Sequence, residues 1–67
     1  MKNGEELKNF RLGLMEIQED FAAKLGVTAN YISLMENDAK PITPQILQKI
    51  ADVYKQKFSI EISPKAN

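Results

Sequence analysis

The chain has 67 residues, nine basic and nine acidic, and contains neither cysteine nor histidine. A chain of this length suits one domain with a small core, since it buries only about 60% of the surface its unfolded form exposes. Without Cys or His there is no disulfide or thiolate cluster, and the commonest nucleophile, base and metal-ligand roles have no candidates, so no enzyme, metal site or cofactor is expected.

No apolar run approaches the ~20 residues of a membrane span, and Met1 to Phe10 lacks the apolar stretch of a signal peptide, so the expected location is the cytoplasm. In chain order, Asn3 followed by Glu6 resembles a capping box and opens a first helix over about 4–14. Leu7, Phe10 and Leu14 form its buried stripe, with Arg11 beside it and Gly13 weakening its end. Met15, Glu16 and Ile17 connect it to a second helix over 18–25, which Gln18 opens with Glu19 and Asp20 in the first turn, where acids suit the positive dipole end.

Within that second helix Phe21, Ala22 and Leu25 share one apolar face, and Gly26 follows where a left-handed residue is cheapest because glycine has no Cβ. Val27 turns back to the core, and Thr28 supplies a hydroxyl N-cap for a third helix over 28–37. Ile32 and Met35 face the core, whereas Ala29, Asn30, Ser33 and Leu34 are expected to point outward. Two short helices joined by a tight glycine turn, with the small Ala22 where they cross, have the layout of a helix-turn-helix.

Residues 38–42 form a loop around Pro41, and Thr43 followed by Pro44 starts a fourth helix over 43–56 that carries Ile46, Leu47, Ile50, Val53 and Tyr54. Phe58, Ile60 and Ile62 then alternate with polar residues over 58–62, a half-buried strand signal bounded by Pro64 and a loose tail over 64–67. A single strand leaves its backbone groups unpaired. It either pairs with the same strand of a second subunit, making Phe58, Ile60 and Ile62 a homodimer contact, or packs as an irregular or helical cover on the four-helix core. The expected fold is therefore all-α: one compact four-helix domain over 1–63 with a short strand-like segment at its end.

Charge works against nucleic-acid binding by a single subunit. Between Gln18 and Lys40, two lysines face four acids, whereas from Pro41 onward four lysines face two acids. Phosphate attraction supplies most non-specific affinity, so DNA binding should be modest for one subunit and lean on dimerisation.

Taken together, LKNFR at the front, Gln18 opening helix two, FAAKLGVT through the turn, YISLMEN through helix three and LQKIADVY in helix four resemble the DNA-binding domain of the phage Cro and CI repressors and the xenobiotic-response-element-type regulators. The resemblance spans about Leu7 to Tyr54. It implies a lambda-repressor-like domain that binds double-stranded DNA and regulates transcription. By that resemblance Gln18 and Asn37 lie against phosphates, and Thr28, Ala29, Asn30, Ser33 and Leu34 face the major groove. Asn30 is the best base reader because its amide matches adenine N6 and N7. Tyr31 reaches a sugar or phosphate, Lys40 contacts a phosphate, and Arg11 pairs with Glu36 to tie helix one to helix three. The chain departs from the pattern at Glu16 and Ile17, where an apolar residue and Ser or Thr are usual, at Asp38, where glycine is common, and at Leu34, which is often polar. The alternative function on the same fold is a protein-interaction module, such as an antirepressor or antitoxin subunit, with Met15, Ala29 and Leu34 meeting another regulator protein.

Overall fold

Capping chemistry sets the helix boundaries. The computed structural model describes residues 1–54 and places α1 at Gly4–Gly13, α2 at Gln18–Leu25, α3 at Ala29–Glu36 and a fourth helix, α4, from residue 44 to the last described residue, 54. The fold is all-α, and the described residues contain no strand. The alternating segment 58–62, the tail and the last two expected residues of α4, 55 and 56, lie outside the described residues.

Three of the four helices begin with a side-chain cap. Asn3 Oδ1 accepts from the Glu6 N–H at 2.9 Å, Thr28 Oγ1 from Tyr31 at 3.1 Å, and Thr43 Oγ1 from Ile46 at 3.2 Å. Each satisfies one donor that the first helical turn leaves without a partner. At α1 the returning bond of the capping box falls one residue early, because the Glu6 carboxylate accepts from the Lys2 N–H. The fourth helix start differs: Ile17 precedes α2 with an extended backbone and makes no side-chain cap.

Helix ends repeat a single device. At α2, Gly26 has φ +73°, its N–H donates to Ala23 O at 3.2 Å, and the Val27 N–H donates to Ala22 O at 3.0 Å. This is the Schellman pattern, in which the left-handed residue and the one after it turn their N–H groups back onto the last turn. Met15 (φ +60°) ends α1 in the same way, with Met15 N–H to Leu12 O at 2.9 Å and Glu16 N–H to Arg11 O at 3.4 Å. Asp38 (φ +60°) ends α3, with Asp38 N–H to Met35 O at 3.1 Å and Ala39 N–H to Leu34 O at 2.8 Å. Of the three positions only Gly26 carries the residue type that marks a left-handed helix end in sequence.

A Cβ in the left-handed region costs roughly 1–2 kcal/mol, less for Asp, whose side chain bonds locally. Met15 has no such compensation, since it is 93% exposed. Met15→Gly is therefore expected to stabilise the chain by about 0.5–1 kcal/mol after allowance for the greater unfolded-state freedom of glycine. A urea midpoint at or below that of the unchanged chain would contradict this.

Leu7 of α1, Phe21, Ala22 and Leu25 of α2, Ile32 and Met35 of α3, and Ile46, Ile50 and Tyr54 of α4 make one buried cluster. Burying a large apolar side chain contributes about 1.5–3 kcal/mol, which makes these residues the main source of cohesion. Phe21 stacks on Tyr54 with ring centroids 5.9 Å apart, and Phe10 meets Tyr54 edge-on at 5.7 Å. Of the five apolar α4 positions expected from the spacing, Leu47 is only half-buried and Val53 is exposed. Ile46, Ile50 and Tyr54 are spaced by four residues and centre the inward face, and Leu47 and Val53 flank it on opposite sides.

Candidate nucleic-acid interface

The surface in question is built by α3 and by the ends of α1 and α2 that abut it. At its base lies a buried ion pair. Arg11 donates through Nε to Glu36 Oε2 at 2.6 Å and through Nη2 to Glu36 Oε1 at 3.1 Å, and its Nη1 donates to Glu16 O at 2.8 Å. Both residues are buried, and charge-assisted bonds in such a setting are strong only when every donor and acceptor is engaged. Among the described residues no buried side-chain polar atom lacks a partner.

Glu36 also accepts from Gln18 Nε2 at 3.0 Å, so one carboxylate joins α1, α2 and α3. Burial pushes the Glu36 carboxyl upward, but the bonds from Arg11 and Gln18, with the charges of Arg11 and Lys8, more than reverse this and hold it below the usual carboxylate range. The hydrogen bond to Glu36 raises the Arg11 guanidinium above its ordinary value, against the opposing effect of burial.

Gly4 closes the other side. Its N–H donates to Asp38 Oδ1 at 2.8 Å, and its Cα faces the last carbonyls of α3 so closely that a Cβ would lie 2.3 Å from Glu36 O and 2.4 Å from Met35 O. The Asp38 carboxylate therefore lies at the positive end of α1, where a negative charge is favoured. The other acidic departure from the family pattern is absorbed similarly: Glu16 accepts from the Tyr54 hydroxyl at 2.7 Å and pairs with Lys24. Burial, then the bond to Glu16, holds the Tyr54 phenol well above its ordinary value. None of these links between distant residues was visible from the sequence, although the unusual Glu16 and Asp38 marked where to look.

Along α3, Thr28 and Asn30 are exposed, and Ser33 and Leu34 are half-buried outside the core cluster. Ala29 and Tyr31 are half-buried and packed against that cluster. For Ala29 this corrects the outward reading: it stands three residues before Ile32 and so shares the face that turns inward. Asn37 is exposed, and its Nδ2 donates to Ser33 O at 2.9 Å. Lys40 is exposed in the loop beyond α3, whereas Lys24 is paired with Glu16. Phe58, Ile60 and Ile62 lie outside the described residues.

Two consecutive short helices joined through a left-handed glycine, the second presenting polar residues to solvent while the first braces it, define the helix-turn-helix class of DNA-binding regulators. The model of the Helix-turn-helix family matches residues 7–59, and the chain belongs to that family, of the phage Cro and CI type. No curated protein and no solved structure matches it. The family is one of DNA binding rather than catalysis. Among the described residues no group of His, Cys, Asp or Glu could hold a metal ion, and no helix is long and apolar enough to cross a membrane.

Proposed function

We propose that the chain is a phage-repressor-like transcriptional regulator that recognises a specific double-stranded DNA sequence, with α3 lying in the major groove, and acts as a homodimer. The observation that carries the reading is the outward face of α3: Thr28 and Asn30 are exposed, with Ser33 and Leu34 beside them outside the core, on a helix braced by Arg11, Glu36 and Gln18. Asn30 is the base reader by the chemistry of its amide, Leu34 suits a thymine methyl, and Lys40 suits a phosphate. Gln18, Asn37 and Tyr31 serve as positioning contacts to the sugar-phosphate backbone. The homodimer is argued from the alternation of Phe58, Ile60 and Ile62 and from Lys40, the one cation of the segment Gln18 to Lys40 that pairs with no acid among the described residues.

Selection from random duplexes should yield a preferred site, with affinity falling as salt rises from about 50 to 200 mM because each neutralised phosphate releases a counterion. Asn30→Ala is expected to remove about 1–3 kcal/mol of discrimination at one base pair. Lys40→Ala should weaken all sequences alike and lower the salt slope by about 1. Ile60→Asp should convert dimers to monomers in sedimentation. A second reading, a protein-interaction module such as an antirepressor or antitoxin subunit, is favoured by one feature, the solvent-exposed Leu12, Met15 and Ile17 around the α1–α2 corner. Failure to enrich any duplex, together with capture of another regulator, would replace the first reading by the second.

A further inference from the structure

We propose that Glu36, besides joining the helices, is a positioning residue that fixes the Gln18 side-chain amide in the orientation used on DNA. This rests on the DNA-binding reading and deepens it. Gln18 is the first residue of α2 and only partly buried, a place where a glutamine side chain ordinarily samples many rotamers. Here its Nε2 donates to Glu36 Oε1, and Glu36 is itself immobilised by two bonds from Arg11.

An amide nitrogen carries two hydrogens. One is committed to Glu36, which leaves the second N–H and the Oε1 acceptor as the groups Gln18 offers outward. The carboxylate settles the orientation, because an amide turned the other way would set Oε1 against an anion. The bond leaves the second N–H an ordinary neutral donor, so what Glu36 contributes is its orientation. Ile17 provides no cap at this helix start, so no neighbouring hydroxyl competes for that donor. A phosphate oxygen beside the start of α2 thus meets a donor already held in place, and binding need not immobilise a long side chain, a saving that corresponds to roughly a two- to tenfold gain in affinity.

The first measurement is made on the free protein. The Gln18 side-chain amide protons are expected to exchange with solvent more slowly than those of the exposed Gln45 and to resonate apart from them; coincidence with Gln45 overturns the proposal. The second uses the duplex selected by the unchanged chain, at a temperature where circular dichroism shows every variant folded. Gln18→Met keeps the length and removes the amide, and Glu36→Gln keeps an acceptor and removes the charge. Each should weaken binding about two- to tenfold, and the double variant should bind no more weakly than the weaker single one, since the Gln18 contact depends on Glu36. Losses that multiply, or undiminished binding by Gln18→Met, overturn the proposal while leaving DNA binding intact. If Glu36→Gln does not fold, the exchange measurement and Gln18→Met decide the matter. Failure of the unchanged chain to bind any duplex removes the proposed function and this inference with it, a result that Gln18→Met alone cannot produce.

Discussion

Arg11→Met is expected to lower the stability of the chain sharply at neutral pH. The substitution keeps the length and apolar stem of the side chain but strands the buried Glu36 carboxylate with only the Gln18 amide for a partner, and it frees Glu16 O from its bond to Nη1. Removing one member of a buried ion pair costs about 3–5 kcal/mol, because the remaining charge is neither solvated nor neutralised. A 67-residue chain has only about 3–10 kcal/mol of stability to lose. Replacing both partners, as in Arg11→Met with Glu36→Leu, removes the stranded charge and should restore much of the loss, since apolar replacements of buried pairs are often neutral or stabilising. Urea denaturation of the two variants checks this. A single variant with an unchanged midpoint, or a double variant no better than the single, would show that the pair does not hold α1 to α3.

The same pair gives the acid limb of stability a definite sign. The folded-state pKa of Glu36 lies below its unfolded value, so its contribution is complete above the ordinary carboxylate range near 4.3 and is lost as pH falls through the lower folded value. The unchanged chain should therefore lose stability steeply on acidification below about pH 4. The double apolar variant should lose less over that interval, because it no longer carries this carboxylate.

Apart from the Arg11–Glu36 pair, which the family resemblance anticipates across 25 positions, what could be read from the sequence and what could not divides by distance along the chain. The faces made by Phe21, Ala22 and Leu25 and by Ile32 and Met35, and the stop at Gly26, depend on residues within one helical turn of each other, so spacing and composition sufficed. The links that orient the helices are non-local. Gly4 meets Asp38 across 34 positions and Tyr54 meets Glu16 across 38, and no periodicity encodes either. Glu16 and Asp38 stood out only as unexpected charges; each is satisfied by a donor from a distant element, which explains how the fold tolerates them. Ala29 departs from the outward expectation because one small apolar residue at a helix start has no pattern of its own, and the register set by Ile32 turns it inward. The amide of Gln18 was assigned outward on resemblance, without the inward bond to Glu36 that gives it an orientation.

Gly4 and Gly13 open and close the same helix, and alanine at each should act in opposite directions. On helix propensity alone both exchanges would gain about 1 kcal/mol. At Gly13 nothing lies within 4 Å of the added Cβ and the residue has helical backbone, so the gain of about 0.5–1 kcal/mol should be realised. At Gly4 the added carbon would stand 2.3–2.5 Å from Glu36 O, Met35 O and Glu36 C, all backbone atoms that no rotamer change can move. Relief requires the start of α1 to withdraw from the end of α3, which lengthens the 2.8 Å bond from Gly4 N–H to Asp38 and loosens the packing of Leu7. Overpacking of this kind costs about 1–3 kcal/mol and loss of a helix cap about 1 kcal/mol more, so the steric effect outweighs propensity and Gly4→Ala should destabilise by about 2–3 kcal/mol. Paired urea midpoints decide it: Gly4→Ala below the unchanged chain and Gly13→Ala above it. If Gly4→Ala rose with Gly13→Ala, α1 could not approach α3 as closely as the structure places it, and the bracing of α3 from that side would have to be abandoned.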